Sequence, residues 1–302
     1  MNADTERLTV PVDGGDLAVF RWGRGTPTAI AAHGIASSHV VFTGVAEFVA
    51  SDMTLLAPDL RGRGDSATLR GPYGMHQHAR DLVAVLDHVG VDDAVIAGHS
   101  MGGFVAALFA SDFPDRTRAA VLIEGGPAFM GPLSPEADVD AVLDALIGPA
   151  VDRLRRRFPD REAYRQFWRE HPALHGTGVP RDRVHAYADH DAHAADGAIR
   201  SKVSADAVRE DGRDSLTNDA VHKAVAAIDA PAVLLVAERG MLNDKTPLYP
   251  DDVVADLRTT RGQLEVIRVP GTNHYTICLA NRGARAVAHH LRRFGVSDGE
   301  VG

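Results

Sequence analysis

The feature that most constrains this chain is an alternation. Short runs that are apolar throughout ("TAIAAHG", "TLLAPDL", "AVIAGHS", "AAVLIEGG", "PAVLLVAE" and "LEVIRV") are separated by longer stretches with apolar residues at helical spacing. A strand with no polar face must be covered on both sides, and a helix between two such strands makes them parallel. "LTVPV" and "LAVFRW" flank Asp13-Gly14-Gly15-Asp16 and predict an antiparallel hairpin ahead of this pattern. From Phe129 to Asn218 the rhythm stops: no convincing strand is visible, and Asp, Arg, His and Ala recur at helical spacing. The expected architecture is α/β, a mostly parallel eight-stranded sheet with helices on both faces. Residues 1–128 and 219–302 form its core, and an α-helical cap is inserted at 129–218.

Active sites of open parallel sheets gather at the carboxyl ends of the strands. There the "AVIAGHS" strand runs into Gly98-His99-Ser100-Met101-Gly102 and then directly into a helix predicted from about Ser100 to Ser111. So sharp a turn strains its apex residue and leaves no room for side chains two positions either side, which the two glycines satisfy. Ser100 is left at the tip, where the following N–H groups of a helix start favour negative charge. Other strands deliver His33 and Ile35, Asp59, Glu124, Glu238 with Asp244, and His274 to the same edge. The order serine, acid, histidine is that of a nucleophile, an orienting carboxylate and a general base.

A net charge of −9 gives no positive face for nucleic acid or an anionic membrane, so neither is an expected partner. The single cysteine, Cys278, excludes an internal disulfide framework and a CxxC metal site. His171 with His175, and His190 with His193, have spacings that can bind zinc but lack an anchored third ligand, and a solvated helix face is the preferred reading. "RLRRRF" at 153–158 reads as the exposed face of a cap helix. No metal or cofactor is expected. The opening residues lack a basic stretch followed by an apolar run, and no run is long enough to span a membrane, so a cytoplasmic enzyme is expected. Nothing fixes the oligomeric state.

With "HGIASS", "PDLRGRGDS", "GHSMGG" and "PGTNHYT" in this order, the chain resembles the α/β-hydrolase superfamily over residues 33 to 276. The resemblance implies an α/β-hydrolase fold, Ser100 as nucleophile, His274 as general base, and the backbone N–H groups of Ile35 and Met101 as the oxyanion hole. Members that open epoxides or remove halides carry aspartate where this chain has Ser100. The acid has three candidates. Glu124 is preferred, as in branches of the superfamily whose acid follows this earlier strand. Asp244 is the alternative at the commoner position, weakened because Asn243 stands where an aspartate is expected. Glu238 follows its strand too closely to reach out easily.

The leading function is hydrolysis of a carboxylic ester or lactone through an acyl-serine intermediate. A C–C bond hydrolase and a cofactor-free haloperoxidase-like enzyme keep the same Ser/His pair. A small-molecule sensor retaining the triad is the non-enzymatic alternative. Tyr164, Phe167 and Trp168 share one helical face and are the candidate substrate contacts, suited to a bulky apolar or ringed small molecule such as a resorcylic macrolactone. The cap is expected to choose the substrate without supplying chemistry.

Overall fold

The computed structural model describes residues 5–128, 133, 138–260 and 264–295. The expected first residue of the cap, Phe129, lies outside the described residues, as do the first four residues of the chain.

The hairpin forms as expected: β1 (Thr5–Val12) and β2 (Gly15–Trp22) pair antiparallel, with Val12 opposite Gly15. β3 (Thr28–Ala32), α1 (Thr43–Val49), β4 (Thr54–Pro58), α2 (Met75–Val89), β5 (Ala94–His99), α3 (Met101–Asp112) and β6 (Thr117–Ile123) follow. After the insertion come β9 (Ala232–Ala237), α9 (Asp251–Thr260), β10 (Leu264–Val269), α10 (Thr276–Leu279) and α11 (Asn281–Gly295). The eight-stranded sheet has the order β1-β2-β4-β3-β5-β6-β9-β10, and every pair from β4 to β10 is parallel.

Every residue of β3, β5 and β9 is buried, which is why their sequences show no polar alternation. One face packs Val45, Val49, Val287 and Leu291 from α1 and α11; the other packs Leu82, Val85, Val105 and Phe109 from α2 and α3. Each such side chain contributes roughly 1.5–3 kcal/mol on leaving water.

Between β6 and β9 the chain builds α4 (Val139–Arg155), α5 (Arg161–Arg169), α6 (Arg181–Asp191), α7 (Ala205–Thr217) and α8 (Asp219–Ala224). Local chemistry starts several of them: Asp138, Asp160 and Ser204 each accept backbone N–H bonds as N-caps of α4, α5 and α7. One expectation is corrected here. The insertion also holds a two-stranded hairpin, β7 (Ala192–Ala195) and β8 (Ala198–Ser201), turned by Asp196-Gly197 with both residues at positive φ. The Asp-Gly turn signal is present, but its flanks, "AHAA" and "AIRS", carry little of the β-branched or aromatic weight that marks a strand.

Candidate active site

Ser100 sits between β5 and α3 with φ +57° and ψ −122°, the strained apex anticipated from its glycine neighbours. A Cβ on Gly98 would lie 1.8 Å from the Gly102 carbonyl oxygen, and one on Gly102 would lie 2.0 Å from the Ala32 oxygen. The elbow therefore excludes any side chain at both positions. Gly34 brings the turn after β3 against the serine: a Cβ there would lie 3.2 Å from Ser100 Cβ.

Glu124 directly follows β6, the neighbour of the serine's strand, and is 1% exposed with φ +52°. Its Oε1 accepts the Ala237 N–H at 2.6 Å, at the end of β9. Its Oε2 lies 3.1 Å from His274 Nδ1, whose N–H donates to the carboxylate, so that Nε2 is on the opposite side of the ring. The His274 carbonyl accepts from His99 Nε2 at 2.7 Å. Burial first, and His274 second, push His99 down to about 3, so it remains a neutral brace.

The other two carboxylates are engaged elsewhere. Asp244 Oδ2 accepts from Leu242 N–H at 3.3 Å within its own loop, and Glu238 Oε2 accepts from Gly271 N–H at 2.5 Å. Asn243 accepts from Arg239 Nε and Asn273 Nδ2.

The turn carrying Ile35 is held from below by His33. Leu60 N–H donates to His33 Nε2 at 3.0 Å, so its Nδ1–H donates to the Gly34 carbonyl at 2.8 Å. That carbonyl and the Ile35 N–H belong to one planar peptide, so fixing the oxygen fixes the direction of the N–H. Burial pushes His33 down to about 3 and keeps this tautomer neutral.

Two chambers meet at Ser100 and His274. The first encloses about 820 Å³ including its mouth and has an aliphatic wall of Leu133, Leu143, Leu146, Leu216 and Leu248, with Ile35 and Met101 beside the serine. The second, about 620 Å³, is walled by Phe167, Trp168, His171, Tyr187 and Tyr275, with Arg153 at its side. Of the three aromatic residues singled out in the sequence, Phe167 and Trp168 line the second chamber. Tyr164 does not line either chamber; it is fully buried, with its hydroxyl between Arg153 and Asp191.

Three readings of charged residues are corrected. Arg153 is not on an exposed face: it is 2% exposed, ion-paired with Asp191, and donates to Ser201 Oγ at 2.8 Å and the Ala36 carbonyl at 2.8 Å. His171 is on a chamber wall, pushed down to about 4 by burial and by Arg153. His190 reaches the core, where its Nε2 donates to Asp59 Oδ2 at 2.6 Å.

His39, Asp59 and His190 bring three ligand-capable atoms within 4.8 Å and are the described residues best able to approach a metal ion. Both Asp59 oxygens are already filled, however, by the N–H groups of His39 and Asp65 and by the two imidazoles. Burial opposes its ionisation, but those partners outweigh it and hold the carboxyl well below the usual range. The cluster as it stands is a hydrogen-bonded latch, which a cation could enter only by displacing protons.

The family model for the alpha/beta hydrolase fold matches residues 30–279. The chain belongs to this α/β-hydrolase family. Among relatives of this α/β-hydrolase, 2-(acetamidomethylene)succinate hydrolase of Mesorhizobium japonicum is 26% identical over 249 residues, 82% of each chain. An uncharacterised protein of Mycobacterium tuberculosis is 36% identical over 110 residues, which is 35% of this chain and only 31% of that protein's length. The solved structure of E-2-(acetamidomethylene)succinate hydrolase superimposes with a TM-score of 0.78 at 22% identity, covering 96% of this chain and 99% of that one. A thioesterase domain from the curacin biosynthetic pathway gives 0.74 at 18% identity, covering 96% and 99%. The family match and the relative from Mesorhizobium support a hydrolase, and the two structural likenesses show the fold. Among the described residues, no helix is long and apolar enough to cross a membrane.

Proposed function

We propose that the chain is a serine hydrolase that cleaves a carboxylic ester or lactone through an acyl-serine intermediate. The observation that carries this reading is the Glu124–His274 hydrogen bond beside a strained serine, at the junction of two chambers. In it, Ser100 Oγ attacks the carbonyl carbon and His274 Nε2 takes the hydroxyl proton. Glu124 holds the imidazole by its Nδ1–H and stabilises the imidazolium that forms. The N–H groups of Ile35 and Met101 receive the oxyanion. The tetrahedral adduct collapses to the acyl-serine, and His274 returns the proton to the departing alkoxide. Water then repeats the sequence and frees the serine.

The chambers support a neutral, two-sided substrate. No Lys or Arg lines the first among the described residues, and Arg153 beside the second is already paired with Asp191. That wall does not suit the dicarboxylate named in the succinate hydrolase. A molecule with an aliphatic part and a flat ring on either side of its ester would fill both chambers. A macrolactone of the resorcylic kind has this division and keeps both parts joined after cleavage. The test is a panel of aryl esters, alkyl esters, macrolactones and diketones, combined with labelling by a serine-directed phosphonate. Turnover of ring-bearing esters or lactones with phosphonate on Ser100 supports the reading. Turnover of diketones alone, or no label on Ser100, overturns it.

A further inference from the structure

The turn that carries Ile35 is held from the insertion directly at Ala36 and Ser37, and through Arg63 and Asp59 at Ile35 and His39. The Ile35 carbonyl accepts from Arg63 Nε at 3.0 Å, and Arg63 is itself ion-paired at 2.6 Å with Asp211 of α7. The Ala36 carbonyl accepts from Arg153 of α4 at 2.8 Å. Ser37 Oγ accepts from the Tyr187 hydroxyl of α6 at 3.0 Å. His39 is tied to Asp59, whose second oxygen takes the bond from His190, also on α6.

The grip is stiff because its anchors are buried and Arg153 is bonded on several sides. Arg153 donates to Tyr164, Asp191, Ser201 and Ala36, and lies over the Trp168 ring at 5.1 Å from its centroid. A buried guanidinium with this many partners has nowhere else to go, since losing any of them exposes an uncompensated charge. With the Gly34 carbonyl held by His33 and the next two carbonyls held by Arg63 and Arg153, Ile35 keeps almost no freedom in φ or ψ. An oxyanion donor works only within a few tenths of an ångström of its target distance.

We propose that Arg153 and Tyr187 are positioning residues for the Ile35 N–H, so that the insertion acts on the chemical step and not only on the choice of substrate. The inference rests on the serine-hydrolase reading above. Its test uses p-nitrophenyl acetate, a substrate too small to need the far walls of either chamber, and a small boronic acid that forms a tetrahedral adduct on the serine.

Wild type and Ser100→Ala are compared first. An active Ser100→Ala, or an inactive wild type, would sink the serine-hydrolase reading and the inference with it. With that reading intact, Arg153→Met is expected to lower kcat about tenfold or more and Tyr187→Phe about threefold, since a lost oxyanion donor costs ~10²–10³ and a displaced one less. KM is expected to stay within about twofold, with boronate affinity falling by the same factor as kcat, as for contacts realised in the transition state. A residue that merely walls the chamber would move KM and leave kcat and boronate affinity alone, and that result overturns the inference. If Arg153→Met fails to fold, Tyr187→Phe, which removes one hydroxyl, decides in the same way.

Discussion

The Nδ1 of His274 meets the Oε2 of Glu124 at 3.1 Å across 150 residues of sequence, while the other oxygen of the same carboxylate is held by Ala237 N–H. The second bond stops the carboxylate from rotating away. Glu124→Gln is nearly isosteric but offers the imidazole an amide, and is expected to lower kcat by roughly a thousandfold or more, as in the serine-protease precedent. Asp244→Asn, whose carboxylate turns onto its own loop, should stay within a few-fold of wild type. Steady-state kinetics on one activated ester compares the two directly, and the opposite ranking would return the acid to the commoner position.

Length matters at position 124 as well as charge. Glu124→Asp keeps the carboxylate but is one methylene shorter, so it cannot reach Ala237 N–H and His274 together. A loss on the order of a hundredfold in kcat is expected, the usual cost of misplacing a catalytic group by about 1 Å. Near-normal turnover in Glu124→Asp would mean that the bond to Ala237 has no catalytic consequence.

Ser100 and His274 are expected to act as one unit. Ser100→Ala and His274→Ala should each remove several orders of magnitude in kcat, and the double variant about as much as either alone. Burst kinetics with a chromogenic ester provide the readout. A double variant whose loss is the product of the single losses would argue against a shared step.

The second chamber should choose the ring. Phe167 is partly buried on its wall, in edge contact with Trp168 at 5.6 Å between centroids. Phe167→Ala is expected to raise KM for bulky ring-bearing esters by roughly tenfold, the range of a lost apolar contact of 1–2 kcal/mol, with kcat on an acetate ester nearly unchanged. Equal losses on both substrates would contradict the assignment.

Acid should destabilise the fold through two buried bases. His33 and His99 are both pushed from 6.5 down to about 3, in each case first by burial. Between those values the unfolded chain binds protons that the folded chain refuses, so stability falls as pH drops from about 6.5 towards 3 and is unaffected by these groups above 7. The expected slope is about 1.4 kcal/mol per pH unit for each histidine. Urea midpoints at pH 7.5, 6.0 and 5.0 measure it. His33→Asn should flatten the slope; an unchanged slope would remove His33 from this account.

The elbow, the hairpin and the parallel sheet are legible because each is written in neighbouring residues: Gly98 and Gly102 around Ser100, Asp13 to Asp16 between two strands, and runs with no polar face. Glu124 was legible as a charge closing an apolar run, which a buried site must compensate. Arg153 was not, because its meaning depends on Asp191, 38 residues away, and Ala36, 117 residues away. In a last helical turn that carries Asp152, Arg153 and Arg155, a buried guanidinium and a solvated one have the same spacing. His171 misled for a related reason. "HPALH" is a chain of turns after α5, not a helix, and only the tertiary packing of α5 against the 274–275 loop makes a wall of it.

The Arg63–Asp211 ion pair bears on how freely such an enzyme can be recombined. Insertions of this kind invite transplantation between related scaffolds as interchangeable parts, with new selectivity as the aim. Here Arg63 is fully enclosed, its counterion sits on α7, and Asp59 takes one of its four donors from α6. A foreign insertion lacking Asp211 and His190 would strand a charge inside the host and slacken the turn beneath it. The unit that can be exchanged is therefore the insertion together with residues 33–39 and 59–65, and chimaeras cut at the obvious seam should fail in kcat before they fail in binding.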